Sequence, residues 1–297
     1  MDGETQALIW LAAAKWLTDL GLLWMVGVLA FRTISRLVGS VPLGSVPRQA
    51  AAALALLVVG CAARLWAQTY ATFGLDEPVT GELIRLVAEE TRWGGRWVLQ
   101  AASLTVAVAL AGLLPVAPRW GWPAFGVATL AMIGTAPLTG HAMAGESVWW
   151  PMLLQGLHLL GAGAWLGTLG VLLASGLASC RGDAVRVSSL VDRFSPLALG
   201  SATTVAVTGG LTALLYVGGL GQFWTSTYGR VLLLKTVLFL TTAMVGAYNW
   251  RRVRPRLGAP GGVAALRRAG TVELTIASVL LAVTAWLVHL PMPGGGH

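Results

Sequence analysis

Stretches of roughly twenty mostly apolar residues recur eight times along this chain, long enough to cross the hydrocarbon of a bilayer as helices. In lipid a single segment satisfies its backbone donors and acceptors only as an α-helix, so these runs restrict the fold more than any other feature. They fall at residues 6–31, 48–73, 96–114, 121–137, 151–177, 195–217, 228–250 and 269–289. The expected fold is an all-α integral membrane protein, a bundle of eight transmembrane helices. Composition agrees, since 11% of residues are charged where a soluble domain carries about 25%.

Arginine sets the orientation. Thirteen arginines lie in the loops after spans 1, 3, 5 and 7, against four (Arg85, Arg92, Arg96, Arg230) in the opposite loops. Basic loops stay on the cytoplasmic side, so both termini are expected outside. The net charge of +8 is thus an orientation signal, and with no basic run interleaved with aromatics the chain does not read as binding nucleic acid. The opening MDGETQ lacks a basic n-region, and Lys15 and Asp19 interrupt the run that follows, which reads as a first span and not a cleaved signal. Cys61 and Cys180 show no paired spacing and support neither a disulfide nor a zinc site.

Two halves of four spans follow, 1–150 with an outer loop at 138–150, and 151–297 with a short outer tail. Trp93, Trp97, Trp120, Trp122, Trp149, Trp150, Trp224, Trp250 and Trp286 lie near predicted span ends and are expected in the interfacial belt. Gly163 and Gly167 form a GxxxG that lets another helix approach closely, and Gly200, Thr204, Thr208 and Thr212 form a small-residue stripe expected to face protein. The segment from Leu75 to Gly95 is amphipathic and expected to lie on the outer surface.

The candidate chemistry clusters at the outer side. His141 and Met143 share a polar loop, and His158 follows in span 5, roughly 10 Å below Pro151 at 1.5 Å per residue. His289 ends span 8, with Met292 and His297 in the tail, and Met152 lies at the level of the loop. Imidazole and thioether together suit copper, in either the Cu(I) or the Cu(II) state. The expected metal ligands are therefore His141, His158, Met143, Met152 and His289. Interface histidines and gap-filling methionines are also common without any metal, and mobile tails favour that reading for His289 and His297. An ionisable group inside a span is functional by default, which singles out His158.

Lys15 and Asp19 stand one turn apart and are expected to neutralise each other. Arg64 and Lys235 either snorkel to the interface or hold an anion, and Glu273 is expected to pair with the inner arginines or to release a metal ion or proton there. Asp19 and Glu273 are the intramembrane acids, which makes proton coupling conceivable.

LHLLGAGAWLG (157–167), RFSPLA running into VTGGLTA (207–213), TYGRVLLLKTVLF (227–239), AYNWRRVRPRL (247–257) and Glu273 in TVELTIA occur in the order and spacing of a known family, with TGHA at 139–142 upstream. In these residues the chain resembles the copper resistance protein D family, departing from it at Trp250, where relatives commonly carry arginine. The resemblance implies an eight-span protein of the bacterial inner membrane that moves copper from periplasm to cytoplasm alongside a periplasmic copper-binding protein. It carries His141, His158, Lys235, Asn249 and Glu273 over as motif positions. Two other functions compete with transport. One is a haem-binding or quinone-linked redox bundle in which His158 and His289 bracket a haem, and the other is a copper chaperone for oxidase assembly. The leading expectation is a transport protein, not an enzyme, with Lys235, Asn249, Glu273 and Asp19 on the path or supporting it.

Overall fold

The first helix is mostly apolar, with Ala7, Ala14, Leu22, Met25, Val28 and Phe31 all buried, and a helix apolar around most of its circumference belongs in the middle of a bundle. In the computed structural model it runs from Gly3 to Val38 (α1) and packs against α2 (Val46–Phe73), α6 (Trp149–Ser179) and α9 (Gly262–Leu287). The structure describes residues 3–39, 41–140, 149–181, 183–216 and 221–290. Between these lie α3 (Gly81–Glu90), α4 (Arg92–Val116), α5 (Pro118–Thr135), α7 (Ala184–Tyr216) and α8 (Thr227–Arg256). No strand occurs among the described residues. The bundle is built of sequential hairpins: α1 lies beside α2, α4 beside α5, α6 beside α7, and α8 beside α9.

Seven of these helices (α1, α2, α4, α6, α7, α8 and α9) are long and apolar enough to cross a membrane. The expected fourth span corresponds to α5, which is 18 residues long. Its polar, proline-bearing start, PRWGWP, leaves a short apolar remainder, so a count of eight crossings goes beyond what length and hydropathy support. Several helices outrun the apolar windows of the sequence. α1 continues through Arg32 and Arg36, and its 36 residues span about 54 Å, well beyond a hydrocarbon layer of about 30 Å. α7 begins at Ala184, because the Asp183 carboxylate accepts from the backbone N–H groups of Val185 and Arg186 at 3.0 and 3.2 Å and caps the helix before its apolar part starts.

The GxxxG of α6 sits against α1. A Cβ on Gly167 would fall into the backbone of Leu23 and Gly27, and one on Gly163 into the side chain of Val26. Two π-helical segments, Gly163–Gly167 and Leu172–Gly176, interrupt α6 along this contact. The stripe of α7 is rotated from its expected place. Gly200 is exposed with nothing near it, while Ser201, Val205 and Thr208 form the buried face.

The amphipathic segment folds as α3, capped by the Thr80 hydroxyl and burying Val87 against the start of α4. Of the expected belt tryptophans, Trp120, Trp149, Trp150, Trp224 and Trp250 are exposed. Trp97 instead donates to the Cys61 carbonyl at 3.0 Å, and Trp122 is buried with the Arg32 guanidinium 4.4 Å above its ring. Both meet protein partners in place of the interface, Trp97 through its N–H and Trp122 through its ring face. Cys61 and Cys180 are free and buried.

Candidate functional site

Two cavities open between the helices at the end of the bundle where α6 begins. The larger, of about 380 Å³, is lined by α1, α6, α7, α8 and α9 and has Lys15, Asp19, His158, Trp165 and Lys235 in its wall. The smaller, of about 150 Å³, holds Arg64, Gln68, Trp93 and His289. Gly140 and Val288 border both. Gly140 directly precedes His141, which together with Met143, Met292 and His297 lies outside the described residues.

His158 reaches the larger cavity because α6 presents Pro151, Gln155, His158, Ala162 and Trp165 to it at helical spacing. The imidazole rests against α7, with Nδ1 3.0 Å from the Thr208 hydroxyl. The Thr208 hydroxyl donates its own proton to the Thr204 carbonyl at 2.6 Å. It therefore accepts from Nδ1–H, and the network assigns Nε2 as the basic nitrogen. A histidine oriented through one ring nitrogen so that the other carries the lone pair is the usual arrangement of a metal-binding imidazole. Gly209 keeps the wall thin, since a Cβ there would lie 3.4 Å from His158 Cε1.

Met152 is half-buried and lines neither cavity. One position on a helix turns a side chain about 100° away, so Pro151 and Gln155 face the cavity and Met152 does not. His289 lines the smaller cavity with Arg64, so the structure does not bring His158 and His289 around one group. Among the described residues no three His, Cys, Asp or Glu side chains are close enough to hold a metal ion.

The charged groups are disposed more informatively than their spacing suggested. Lys15 and Asp19 form the expected i,i+4 ion pair, both nearly fully buried. Arg64 does not snorkel. It is 5% exposed, and its guanidinium donates to Gln100 at 3.2 Å and to the Thr139 hydroxyl at 2.9 Å, tying α2 to α4 and to the turn before His141. Lys235 lines the larger cavity and makes no hydrogen bond or ion pair with a described residue.

Glu273 does not pair with the inner arginines. Its carboxylate is buried, accepting from the Trp165 indole at 2.9 Å and from the Asn249 amide at 2.8 Å. Asn249 Oδ1 is buried without a partner among the described residues. Both donors stand on π-helical turns, Gly163–Gly167 in α6 and Asn249–Val253 in α8, and such turns often mark functional positions. Gly246 leaves room for the carboxylate, since a Cβ there would lie 3.0 Å from Oε1. Trp165 thus belongs to both environments, with its ring in the cavity wall and its N–H on Glu273. Sequence reading passed over it as one tryptophan among fourteen. The available signal was its place seven residues, two turns, below His158.

The family described as Copper resistance protein D matches residues 188–287, and Copper resistance protein D-like, N-terminal domain, matches residues 5–150. The first stretch contains Lys235, Asn249 and Glu273, the second contains His141, and α6 with His158 lies between them. The Copper transport protein CutJ of Bacillus subtilis (strain 168) is 29% identical over 219 residues, covering 71% of this chain. The chain spans 39% of the length of that relative. No solved structure matches the chain.

Proposed function

The chain belongs to the copper resistance protein D family, and from that premise we propose that it carries copper across a bacterial inner membrane, from the periplasmic side inward. Copper is cargo in this reading, so the protein works as a transporter without a catalytic centre. The observation that carries it is His158, an imidazole that lines a cavity of about 380 Å³ and whose Nδ1 is held by Thr208, which leaves Nε2 as the basic nitrogen.

His141 and Met143 capture the ion at the rim, directly or from a periplasmic copper-binding protein, and His158 receives it. Gln155, which faces the cavity where Met152 does not, lies beside the ion's route. Beneath, the Trp165 ring forms the floor, and Glu273 with the orphaned Asn249 oxygen offers acceptors on the far side. Passage past Trp165 requires its indole to leave the Glu273 carboxylate, so floor opening and exposure of an anionic acceptor are one event. Both termini and the loop at 138–150 are placed on the periplasmic side, with eight crossings.

The test is His158→Ala and His158→Gln in the full chain. Copper bound to purified protein, measured by mass spectrometry of the metal, and copper accumulated by expressing cells should both fall to background. Accumulation unchanged at equal protein level would sink the proposal.

A further inference from the structure

We infer that the larger cavity is an anion site anchored by the Lys235 ammonium, and that the ligand is a small anion able to bind copper as well, a halide or a carboxylate. The part played by copper rests on the transport reading above, whereas the anion site rests on the cavity alone.

Charge is the first argument. Among the residues lining the two cavities are three cations, Lys15, Arg64 and Lys235, and one carboxylate, Asp19. Asp19 is committed to Lys15 by direct ion pairing, although it acts electrostatically on Arg64 and Lys235 as well. Arg64 spends its donors on the neutral oxygens of Gln100 and Thr139. Lys235 alone projects into the larger cavity with no acceptor among the described residues. Lys235 is half-buried, and intramembrane cations that face a cavity mark the path of a ligand.

The second argument is the repulsion of a bare metal ion. Lys235 lies close enough to His158 to act on it electrostatically, so a copper cation arriving at the imidazole meets an ammonium in apolar surroundings. Leu159, Val205, Leu232 and Phe239 make much of the same wall apolar, and the oxygens of Gln155, Thr212, Thr236 and Thr284 that also line it are neutral and do not cancel the ammonium's charge. An anion bound to both resolves the conflict, because it neutralises the ammonium and ligates the metal. Size permits it, since the cavity measures about 380 Å³ and a water occupies about 30 Å³ of liquid.

The two sources of such an anion are free chloride and the carboxylate of a copper chelate. Purified full chain in detergent, with and without copper, is assayed for saturable binding of radiolabelled chloride and, separately, of radiolabelled citrate. Lys235→Gln should lose binding by about tenfold or more, and Lys235→Arg should retain it, because a charged anchor is what the anion requires. Chloride bound without copper identifies the free anion as ligand. Citrate bound only with copper identifies the chelate. The chain has two lysines, Lys15 and Lys235, so a measurement without variants is available: the bound anion should slow acylation of Lys235 in the wild-type protein, read by mass spectrometry of the peptide. The inference is overturned if neither anion binds saturably to folded wild type, if Lys235→Gln binds equally well, or if acylation is indifferent to both anions. Copper binding at His158 is measured on the same preparations. Its loss in His158→Ala with no anion binding would reject the anion site and leave the transport reading standing.

Discussion

A single hydroxyl on α7 decides which nitrogen of His158 is available to a ligand. Because Thr208 directs its proton to Thr204 at 2.6 Å, it accepts from Nδ1. Thr208→Val keeps the shape of the side chain and removes that acceptor. Metal sites commonly lose about 10- to 100-fold in affinity when such an outer partner is removed. Copper affinity of Thr208→Val, measured by competition titration, should fall in that range while the thermal transition of the protein stays close to wild type. Affinity indistinguishable from wild type would mean that Thr208 does not orient the imidazole. Nothing in the spacing of Gly200, Thr204, Thr208 and Thr212 distinguished this one hydroxyl from the others. All of them back-bond to the preceding helical turn, and only the packing of α6 against α7 picks out the one that meets a histidine.

At the scale of elements, the GxxxG of α6 does what its glycines imply, and the partner is α1. The first helix of the chain therefore forms the wall behind the site, which places Lys15 and Asp19 in the same cavity as His158 and Lys235. A methyl group at Gly167 would run into the backbone of α1. Overpacking of this kind costs about 1–3 kcal/mol. Gly167→Ala should lower the thermal transition in detergent and loosen the cavity floor, whereas Gly126→Ala in α5, where a Cβ would meet nothing within 4 Å, should change neither. Equal melting of the two variants would show that the α1–α6 contact is not tight. The π-helical turns beside this contact and at Asn249 aim both donors at Glu273. A sequence reveals the glycines that permit close approach, but not the register in which two helices meet.

At the scale of the molecule, sidedness turns on α5. With α5 spanning, the chain crosses eight times and both termini share the arginine-poor side. With seven crossings the termini would face opposite sides. Alkaline phosphatase fused after the C-terminus should be active, and a tag at the N-terminus of intact spheroplasts should be accessible to protease. Activity at one end only would rule out eight crossings. The same experiment fixes the face on which the two cavities open, since both are bordered by Gly140 at the start of the His141 loop.

The sequence by itself determined the membrane class, the helical fold, the family, the uneven sidedness of arginine and the exceptional standing of His158. These follow from composition and from periodicity along one chain, because lipid leaves a single segment few alternatives. Only the tertiary structure decided what each polar group faces. It removed Met152 from the cavity, put His289 in a different one, gave Glu273 to Trp165 and Asn249 in place of arginine, held Arg64 in the interior and left Lys235 facing open space. The reason is physical: rotation of a helix about its axis by one residue exchanges lipid for cavity, and that rotation is set by contacts between helices far apart in sequence.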